Sequence, residues 1–475
     1  MILSSQLFAP FVHSKRFNYL SLFIAFFILF LFYILPFSLP GLTENGKMMI
    51  GILLTAAILW ITEPIPLAAT GLLIMILQPL LGIMPAEKIF SSFGNQAVFF
   101  LIGAFIIAAA VETHGLHRRI ALKFLKHFEN TPRGFTFGIM LASALLSFIM
   151  PEHGVAALFL PIITSILLAM KIIPKESNFG KVSVLSIAYG CSIGSLGTLI
   201  GGARNPLTIG FLADAGITVT FLDWMIYAVP VVVVSLPIVW LILQFVFPIE
   251  IDHVTQAKNE IEQQVAIQGK IKKDELIVLS ILFITVFLWI FFSHYTYFGL
   301  AGIALLGSIL LFLAGSITWR DVEKKVPWGI IVLYGGAITL GLGMQQTGAG
   351  SWIAQNLFDL MSGNVYLVIF SLILFTILLT NVMSNTGAVA VLLPIGFAVA
   401  NEITGISPLF SSMIIALSGG LAFIFIIATP GNAITYSSGY FSTKDLFKAG
   451  TLANLTCILI LFIISIIYWK GILGL

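Results

Sequence analysis

Three ionisable residues lie inside otherwise apolar stretches of the chain: Glu152, His153 and Arg204. A charged side chain at membrane depth is costly and is by default functional. The planar guanidinium of arginine suits a carboxylate or a sulfate, and a nearby glutamate lets both charges be carried in a place of low dielectric. The pattern predicts a structural ion pair between Glu152 and Arg204, or a site in which Arg204 also binds a substrate anion. A position at an aqueous edge is the third interpretation.

His153 is the histidine that we expect deepest in the apolar part of the chain, whereas the other histidines lie at loops or span ends. An imidazole can donate to an anion or can titrate and couple proton movement near neutral pH. A histidine that is simply satisfied within a cavity is equally compatible with the pattern. Glu152 beside His153 does not make a zinc motif, because such ligands stand one helical turn apart. No Gly-rich loop that could bind phosphate appears either, so we do not expect an ATP-driven pump. For the same reasons we predict that the protein is not an enzyme and has no bound cofactor.

The elements that position these residues must be membrane-spanning helices. Of 475 residues, 59% are hydrophobic and only 9% are charged, against roughly 25% charged in a soluble domain. Several windows are long enough and apolar enough to span a bilayer as a helix: Tyr19–Leu35, Val229–Phe247, Leu276–Phe292 and Leu452–Tyr468. The alternation of an outer-membrane barrel is absent. The fold class is therefore an all-α polytopic membrane protein in contact with the lipid bilayer.

Basic residues cluster in loops, which by the positive-inside rule face the cytoplasm of an inner (plasma) membrane protein. Threading about eleven spans through this constraint places 19 of the 23 Lys and Arg residues inside, the N-terminus in the cytoplasm and the C-terminus outside. The basic runs are thus topology signals, and we expect no nucleic-acid partner. The clusters are Lys15–Arg16, Arg118–Arg133, Lys171–Lys181, Lys258–Lys273, Arg320–Lys325 and Lys444–Lys448.

The N-terminal segment, residues 1–45, has a short basic head and a long apolar stretch with no small-residue cleavage site before Pro36. We interpret it as a retained first transmembrane helix. Cys191 and Cys457 lie in separate apolar spans, so neither a disulfide framework nor a metal cluster is indicated. The polar stretch at about 250–273 reads as a cytoplasmic linker.

The two halves of the chain repeat each other in order, which is a sign of duplicated architecture. Residues 46–249 form the first unit and residues 274–475 the second. Each holds about five spans, an odd number, so the second copy would run through the membrane upside down. The matches are Gly103 with Gly336, Gly115 with Gly348 and Met150–Ile162 with Met383–Ile395, all at an offset of 233, and Gly201–Pro206 with Ala428–Ala433 at an offset of 227.

Polar, Gly- and Pro-containing interruptions stand at corresponding places of the two units: residues 150–154, 201–206, 383–387 and 428–432. Broken helices in inverted repeats mark the mid-membrane site of secondary transporters. Exposed backbone polar groups are costly in lipid, so these breaks must line a protein cavity. Half-helix N-termini suit an anion and opposing carbonyl ends suit a cation.

Four segments carry a family resemblance: Trp60–Pro66, Gly115–Arg119, Ser384–Thr386 before Leu393-Pro394, and Ala428–Asn432. They resemble the divalent anion:sodium symporter family, over nearly the whole chain from residue 48. The resemblance implies a homodimer whose subunits each hold a scaffold and a mobile transport part that moves by an elevator-type displacement. It also implies two re-entrant hairpins, at about 134–168 and 364–398.

The resemblance further implies residue roles in the second half. Ser384 and Asn385, with backbone oxygens near Thr380 and Ala428, would form a sodium site. Asn385, Thr386 and the turn Thr429, Pro430, Gly431, Asn432 would hold a carboxylate of the substrate.

The first half departs from the family, since Pro151-Glu152-His153 stands where the family has Ser-Asn-Thr and Arg204-Asn205 where its turn is small and neutral. The first sodium site is thus altered or missing. Glu152 and Arg204 then either replace that ion structurally or, with His153 and Asn205, bind substrate.

We therefore predict a secondary transporter of small divalent anions of the C4-dicarboxylate type. Symport with sodium, coupling to one sodium ion or to protons, and anion exchange all remain open. The alternative within transport is a permease for sulfate or a similar inorganic oxyanion. The alternative from another class is a non-transporting membrane sensor on a transporter scaffold, which the absence of a soluble catalytic or signalling domain argues against.

Overall fold

The computed structural model describes residues 15–35, 39–128, 130–294, 298–361 and 363–475, and within these ranges the regular structure is helical. The first half contains α1 (Lys15–Ile34), α2 (Glu44–Thr62), α3 (Leu67–Leu80), α4 (Ala86–Ser91), α5 (Gln96–Thr113), α6 (Leu116–Leu125), α7 (Pro132–Leu146), α8 (Glu152–Ala169), α9 (Asn178–Gly194), α10 (Arg204–Asp214) and α11 (Phe221–Val246). The remainder contains α12 (Thr255–Gln268), α13 (Lys273–Phe292), α14 (Gly299–Leu313), α15 (Trp319–Lys325), α16 (Trp328–Gln346), α17 (Ala349–Leu360), α18 (Val365–Val382), α19 (Asn385–Glu402), α20 (Pro408–Ser418), α21 (Pro430–Tyr436) and α22 (Thr443–Ile464), which a π-helical segment continues to Ile472.

Nine helices of the described chain are long and apolar enough to cross a membrane, and four shorter apolar helices accompany them. Large apolar side chains are exposed on their outer surfaces, for example Phe245 at 81% and Phe283 at 72%. Such a surface is stable against lipid and not against water. The prediction of an all-α polytopic membrane protein is confirmed. The predicted N-terminal helix is present as α1, while the parts of that segment at residues 1–14 and 36–38 lie outside the described residues.

Each of the four predicted interruptions falls at a junction between two helices, and its last residues form the first turn of the second helix. Residues 147–151 separate α7 from α8, and 195–203 separate α9 from α10. In the second half, residues 383–384 separate α18 from α19, and 419–429 separate α20 from α21. Pro151 and Ser384 are the N-cap residues of α8 and α19, which places Glu152 and Asn385 at the first position of each helix.

The helices α7 and α9 approach each other so closely that their backbones touch where α9 carries glycine. A Cβ atom added at Gly194 would lie 2.3 Å from the carbonyl oxygen of Ala144, and one at Gly190 would lie 2.4 Å from that of Met140. Only glycine fits at such a distance, because the neighbouring atoms are backbone and cannot rotate away. The contact sets the position of α7, and of the break that follows it, relative to the end of α9.

The stretch predicted as a linker, 250–273, contains the helix α12, which packs against α6 and α8. Gln264 of α12 donates from Nε2 to Ser165 Oγ of α8 at 2.7 Å. Arg119 of α6 holds the C-terminal end of α12 by donating to the carbonyl oxygens of Gln268 and Gly269. The same guanidinium binds Glu275 of α13 through Nε at 2.8 Å and Nη2 at 3.2 Å. The segment is thus an ordered helix that joins α6, α8 and α13.

We expect Arg119→Ala to destabilise this part of the protein by about 1–3 kcal/mol, because hydrogen bonds to charged groups contribute on that order and Glu275 loses its partner. The midpoint of thermal unfolding in detergent and the rate of proteolysis within residues 250–273 measure the effect. Arg118→Ala is the matched control, since Arg118 has the same charge on the same helix and is exposed. Equal stability of the two variants would contradict the anchoring role of Arg119.

Candidate functional site

The first residues of α8 and α19 meet in the interior of the molecule. Asn385 Nδ2 donates to Glu152 Oε1 at 3.4 Å, and these are the residues that the sequence offset of 233 pairs. Both side chains are buried, with 8% of Glu152 and 7% of Asn385 exposed. Ser384 caps α19 by accepting a hydrogen bond from the backbone N–H of Gly387 at 3.2 Å. The two interrupted segments of the chain therefore share one polar contact.

Glu152 and Arg204 lie in the same cluster, and a serine hydroxyl joins them. Arg204 Nη2 donates to Ser195 Oγ at 2.7 Å, and Ser195 Oγ donates to Glu152 Oε2 at 3.0 Å. The expected direct ion pair is thus replaced by a bridge, because Ser195 at the end of α9 stands between the starts of α8 and α10. Sequence reasoning missed Ser195. The signal that could have found it is a serine placed at the edge of a predicted helix break.

The guanidinium of Arg204 occupies a space that two glycines leave open. A Cβ atom at Gly202 would lie 2.6 Å from Nη1, and one at Gly420 would lie 2.2 Å from Nη2. Gly420 belongs to the break after α20, so the arginine of the first half reaches the second half. Its side chain is only 1% exposed. Sequence reasoning missed Gly420, although a Gly-Gly pair next to an apolar helix is a signal for a helix end.

Two asparagines hold the two longer breaks in matching ways. Asn205 Nδ2 donates to the carbonyl oxygens of Ser195 at 2.8 Å and Thr198 at 2.7 Å. Asn432 Nδ2 donates to those of Ala422 at 3.1 Å and Phe425 at 3.0 Å. Every residue of the second set lies 227 positions after its counterpart, the offset that the sequence shows for this pair of segments. Both amide groups thus brace the backbone of a break, and both Oδ1 atoms are buried without a hydrogen-bond partner in the described chain.

An oxygen-rich cluster lies beside Asn385. Thr380 Oγ1 is 2.8 Å from Asn385 Oδ1 and 2.8 Å from the carbonyl oxygen of Gly419. One hydroxyl proton serves only one of these acceptors, so the cluster offers an unshared oxygen lone pair of the kind that hard cations bind. The structure therefore brings Asn385 and Thr380 together, although Thr380 takes part through its hydroxyl and not through the expected backbone oxygen, and it adds the carbonyl oxygen of Gly419, which was not predicted. Ala428 is buried in a short 3₁₀ turn of the same break.

The other predicted residues lie at the helix starts around this centre. Thr429 is buried and caps α21 by accepting from the backbone N–H of Asn432 at 3.0 Å, while Pro430 is exposed. His153 and Thr386 follow Glu152 and Asn385 in the first turns of α8 and α19 and are partly exposed. Pro430, His153 and Thr386 are thus accessible, whereas Thr429 and the deeper members of the cluster are not.

The electrostatics of the centre favour an anion. The helices of the two halves pack against each other, α21 against α8 and α10 against α19, and the first residues of α8 and α19 are in contact. The charges of Glu152 and Arg204 offset each other. The unpaired N–H groups and partial positive charge of the helix N-termini remain, and they attract a negatively charged group. The arrangement can hold an anion at the helix starts and a small cation at the oxygen cluster beside them.

The family model and the relatives that match this chain describe membrane transporters of anions and sodium. A family model described as "Sodium:sulfate symporter transmembrane region" matches residues 15–475. The sodium-dependent dicarboxylate transporter SdcS of Staphylococcus saprophyticus is 29% identical over 472 residues, which cover 94% of this chain and 91% of the relative. The protein of the same name from Staphylococcus aureus strain USA300 is 31% identical over 469 residues, which cover 93% of this chain and 89% of the relative.

Two solved structures resemble this chain in fold. MtrF of Neisseria gonorrhoeae, described with a class of antimetabolite efflux pumps, superposes with a TM-score of 0.56 at 12% identity and covers 94% of this chain and 97% of its own. The YdaH transporter of Alcanivorax borkumensis superposes with a TM-score of 0.55 at 12% identity and covers 83% of this chain and 88% of its own. At this identity the likeness is one of fold alone.

Proposed function

The chain belongs to the divalent anion:sodium symporter family, and on that premise we propose that it carries small dicarboxylates of the C4 type through the inner membrane in symport with sodium. Like its relatives, it is a multi-pass membrane transporter, and it is not an enzyme. The dicarboxylate and the sodium dependence are those in the names of the staphylococcal relatives. The sulfate in the name of the family model is the other dianion that the proposal has to be tested against.

The observation that carries the proposal is the double use of Asn385. This residue stands at the start of α19, where a helix N-terminus attracts an anion, and its Oδ1 belongs to the oxygen cluster with Thr380 and Gly419. A sodium ion bound at this cluster would add positive charge directly beside the anion site. Binding of each ion then favours binding of the other, and this reciprocal coupling is the thermodynamic basis of symport.

In the first half, Glu152 stands where the family has another Ser-Asn-Thr motif. Arg204 stands in the turn that is small and neutral in the family, and it supplies a fixed positive charge there. Ser195 and Glu152 hold the guanidinium in place. We infer that Arg204, balanced by Glu152, does part of the charge neutralisation for which a second sodium ion would otherwise be needed. The proposal therefore includes one sodium ion, bound near Thr380, Ser384, Asn385 and Ala428, and a substrate bound among the exposed and partly exposed residues of the helix starts.

The proposal also includes two inverted repeats, two re-entrant hairpins, a homodimer, an elevator-type movement and a cytoplasmic N-terminus. The repeat is supported by the matching hydrogen bonds of Asn205 and Asn432 at one offset and by the contact between Glu152 and Asn385 at the other. The hairpins are supported by the short breaks that join α7 to α8 and α18 to α19.

Uptake of labelled succinate into proteoliposomes tests the proposal. We expect an inward sodium gradient to accelerate uptake several-fold over an equal potassium gradient, with vesicles that contain no internal anion. Unlabelled succinate should compete with the label and sulfate should compete poorly. Uptake that requires internal succinate and ignores sodium would contradict symport in favour of exchange. Competition by sulfate but not by succinate would contradict the dicarboxylate.

A further inference from the structure

The two oxygens of the Glu152 carboxylate contact two different halves of the chain. Oε2 accepts from Ser195 in the first half, at 3.0 Å, and Oε1 accepts from Asn385 in the second half, at 3.4 Å. We propose that Glu152 is a positioning residue for the sodium site: it orients the Asn385 amide so that Oδ1 faces Thr380 Oγ1, the hydroxyl that also contacts the carbonyl oxygen of Gly419. This inference rests on the proposed sodium site and assigns a residue of the altered first half to it.

The orientation follows from what each group can donate and accept. An asparagine amide has a donor end and an acceptor end, and turning it over exchanges the two. An ionised carboxylate only accepts, so Glu152 can bind Nδ2 but repels Oδ1. With Nδ2 held by Glu152, Oδ1 points to Thr380 Oγ1 at 2.8 Å, which is where the cation would need an oxygen.

The carboxylate is itself held in place, so it can act as a fixed reference for the amide. Ser195 Oγ donates to it while accepting from Arg204 Nη2 at 2.7 Å. Glu152, Asn385 and Thr380 are all buried. A continuous chain of hydrogen bonds therefore runs from the guanidinium of the first half to the oxygen cluster of the second half. Glu152, which departs from the family motif in the first half, thereby supports the site in the second half, where the motif Ser384–Thr386 is present.

Three substitutions of Glu152 separate positioning from charge. Glu152→Gln and Glu152→Met both remove the charge and have side chains of similar length, but only glutamine keeps an acceptor for Asn385 Nδ2. Its own Nε2 can donate to Ser195 Oγ, since the serine proton has the carbonyl oxygen of Ser192 at 2.7 Å as an alternative acceptor. Glu152→Asp keeps the charge but withdraws the acceptor by one methylene.

Equilibrium binding of radioactive sodium to the purified protein in detergent, without any dicarboxylate, is the measurement. Loss of a group that orients a metal ligand typically weakens metal binding by about 10–100-fold. We expect Glu152→Met and Glu152→Asp to bind sodium about 10-fold more weakly than the unchanged protein, and Glu152→Gln to bind it nearly as well. The midpoint of thermal unfolding shows whether each variant is folded. If one variant does not fold, the sodium binding of the remaining variants, compared with that of the unchanged protein, decides.

The reverse order overturns the inference. If Glu152→Asp binds sodium normally while Glu152→Gln and Glu152→Met lose binding equally, the charge of Glu152 matters and its position does not. If all three bind sodium as the unchanged protein does, Glu152 has no part in the site, although sodium symport stands. If the unchanged protein binds no sodium, the proposed coupling fails and this inference fails with it, a result that the unchanged protein alone reveals.

Discussion

Arg204→Ala is expected to lower sodium-driven succinate uptake by about 100-fold or more, the largest loss that we predict for a single side chain. Removal of one partner from a buried pair of charges costs about 3–5 kcal/mol, because the other charge is left uncompensated. Here the partner is Glu152, which would remain buried at the start of α8 with Ser195 as its neighbour. The variant would also leave the uncompensated carboxylate of Glu152 beside the proposed anion site, where it repels a negatively charged substrate.

Uptake into proteoliposomes at saturating sodium measures this loss, with protein recovery after detergent extraction as the test of folding. Arg204→Lys is the conservative control: it keeps the charge but lacks the planar fork, so we expect partial uptake. The double variant Arg204→Met with Glu152→Gln removes both charges. It should recover folded protein to a greater extent than Arg204→Ala, without recovering uptake. Unchanged affinity and ion dependence in Arg204→Ala would refute the role of Arg204.

The second large effect is expected from Gly194→Ala, at the contact between α7 and α9. Its Cβ would lie 2.3–2.6 Å from three backbone atoms of Ala144, so one of the two helices must move. Overpacking of a buried contact typically costs about 1–3 kcal/mol, and here no side chain can rotate to relieve it. Because α7 leads into the break before Glu152 and Ser195 directly follows the last residue of α9, the displacement separates the groups that hold Arg204. We expect lower thermal stability together with lost uptake.

Gly302→Ala in α14 is the matched control for Gly194→Ala. The nearest atoms to a Cβ at this position are those of the Phe298 side chain, at 3.7 Å and beyond. Alanine is favoured over glycine in a helix by about 1 kcal/mol, so this variant should be at least as stable as the unchanged protein. Thermal unfolding in detergent compares the two. Equal stability of both variants would show that α7 and α9 can move apart to accommodate a methyl group without loss of stability.

The fold class and the helix breaks could be predicted from sequence because both depend on local composition. Spans of about 20 apolar residues have one stable form in lipid, and polar interruptions within them must end a helix. The offset of 233 between the two repeats predicts that Glu152 and Asn385 occupy equivalent positions at the starts of two helices. The stretch that contains α12 is predicted as a linker because its sequence is polar overall. The apolar residues that the helix buries, Ala257 and Ile261, are few, and its position depends on Arg119 and Ser165 from other elements.

The side-chain contacts of the site could be predicted only in part. Glu152 and Arg204 were expected together from the cost of isolated charges in an apolar place. The bridging hydroxyl of Ser195 was not, because a serine at a helix end has many ordinary uses. The space at Gly420 could not be predicted either: it depends on how closely the break after α20 approaches the start of α10, which no spacing within one segment determines.

The bridge between Glu152 and Arg204 has a consequence for biosynthesis. Glu152, Ser195 and Arg204 all belong to the first half of the chain, whereas Asn385 is made much later. At about 10 residues per second, roughly 20 s of translation separate Arg204 from Asn385. During that interval the nascent first half already contains both charges and the hydroxyl that joins them. The half-made protein can therefore wait in the bilayer with its charges matched, and the later half completes the site without first having to neutralise it.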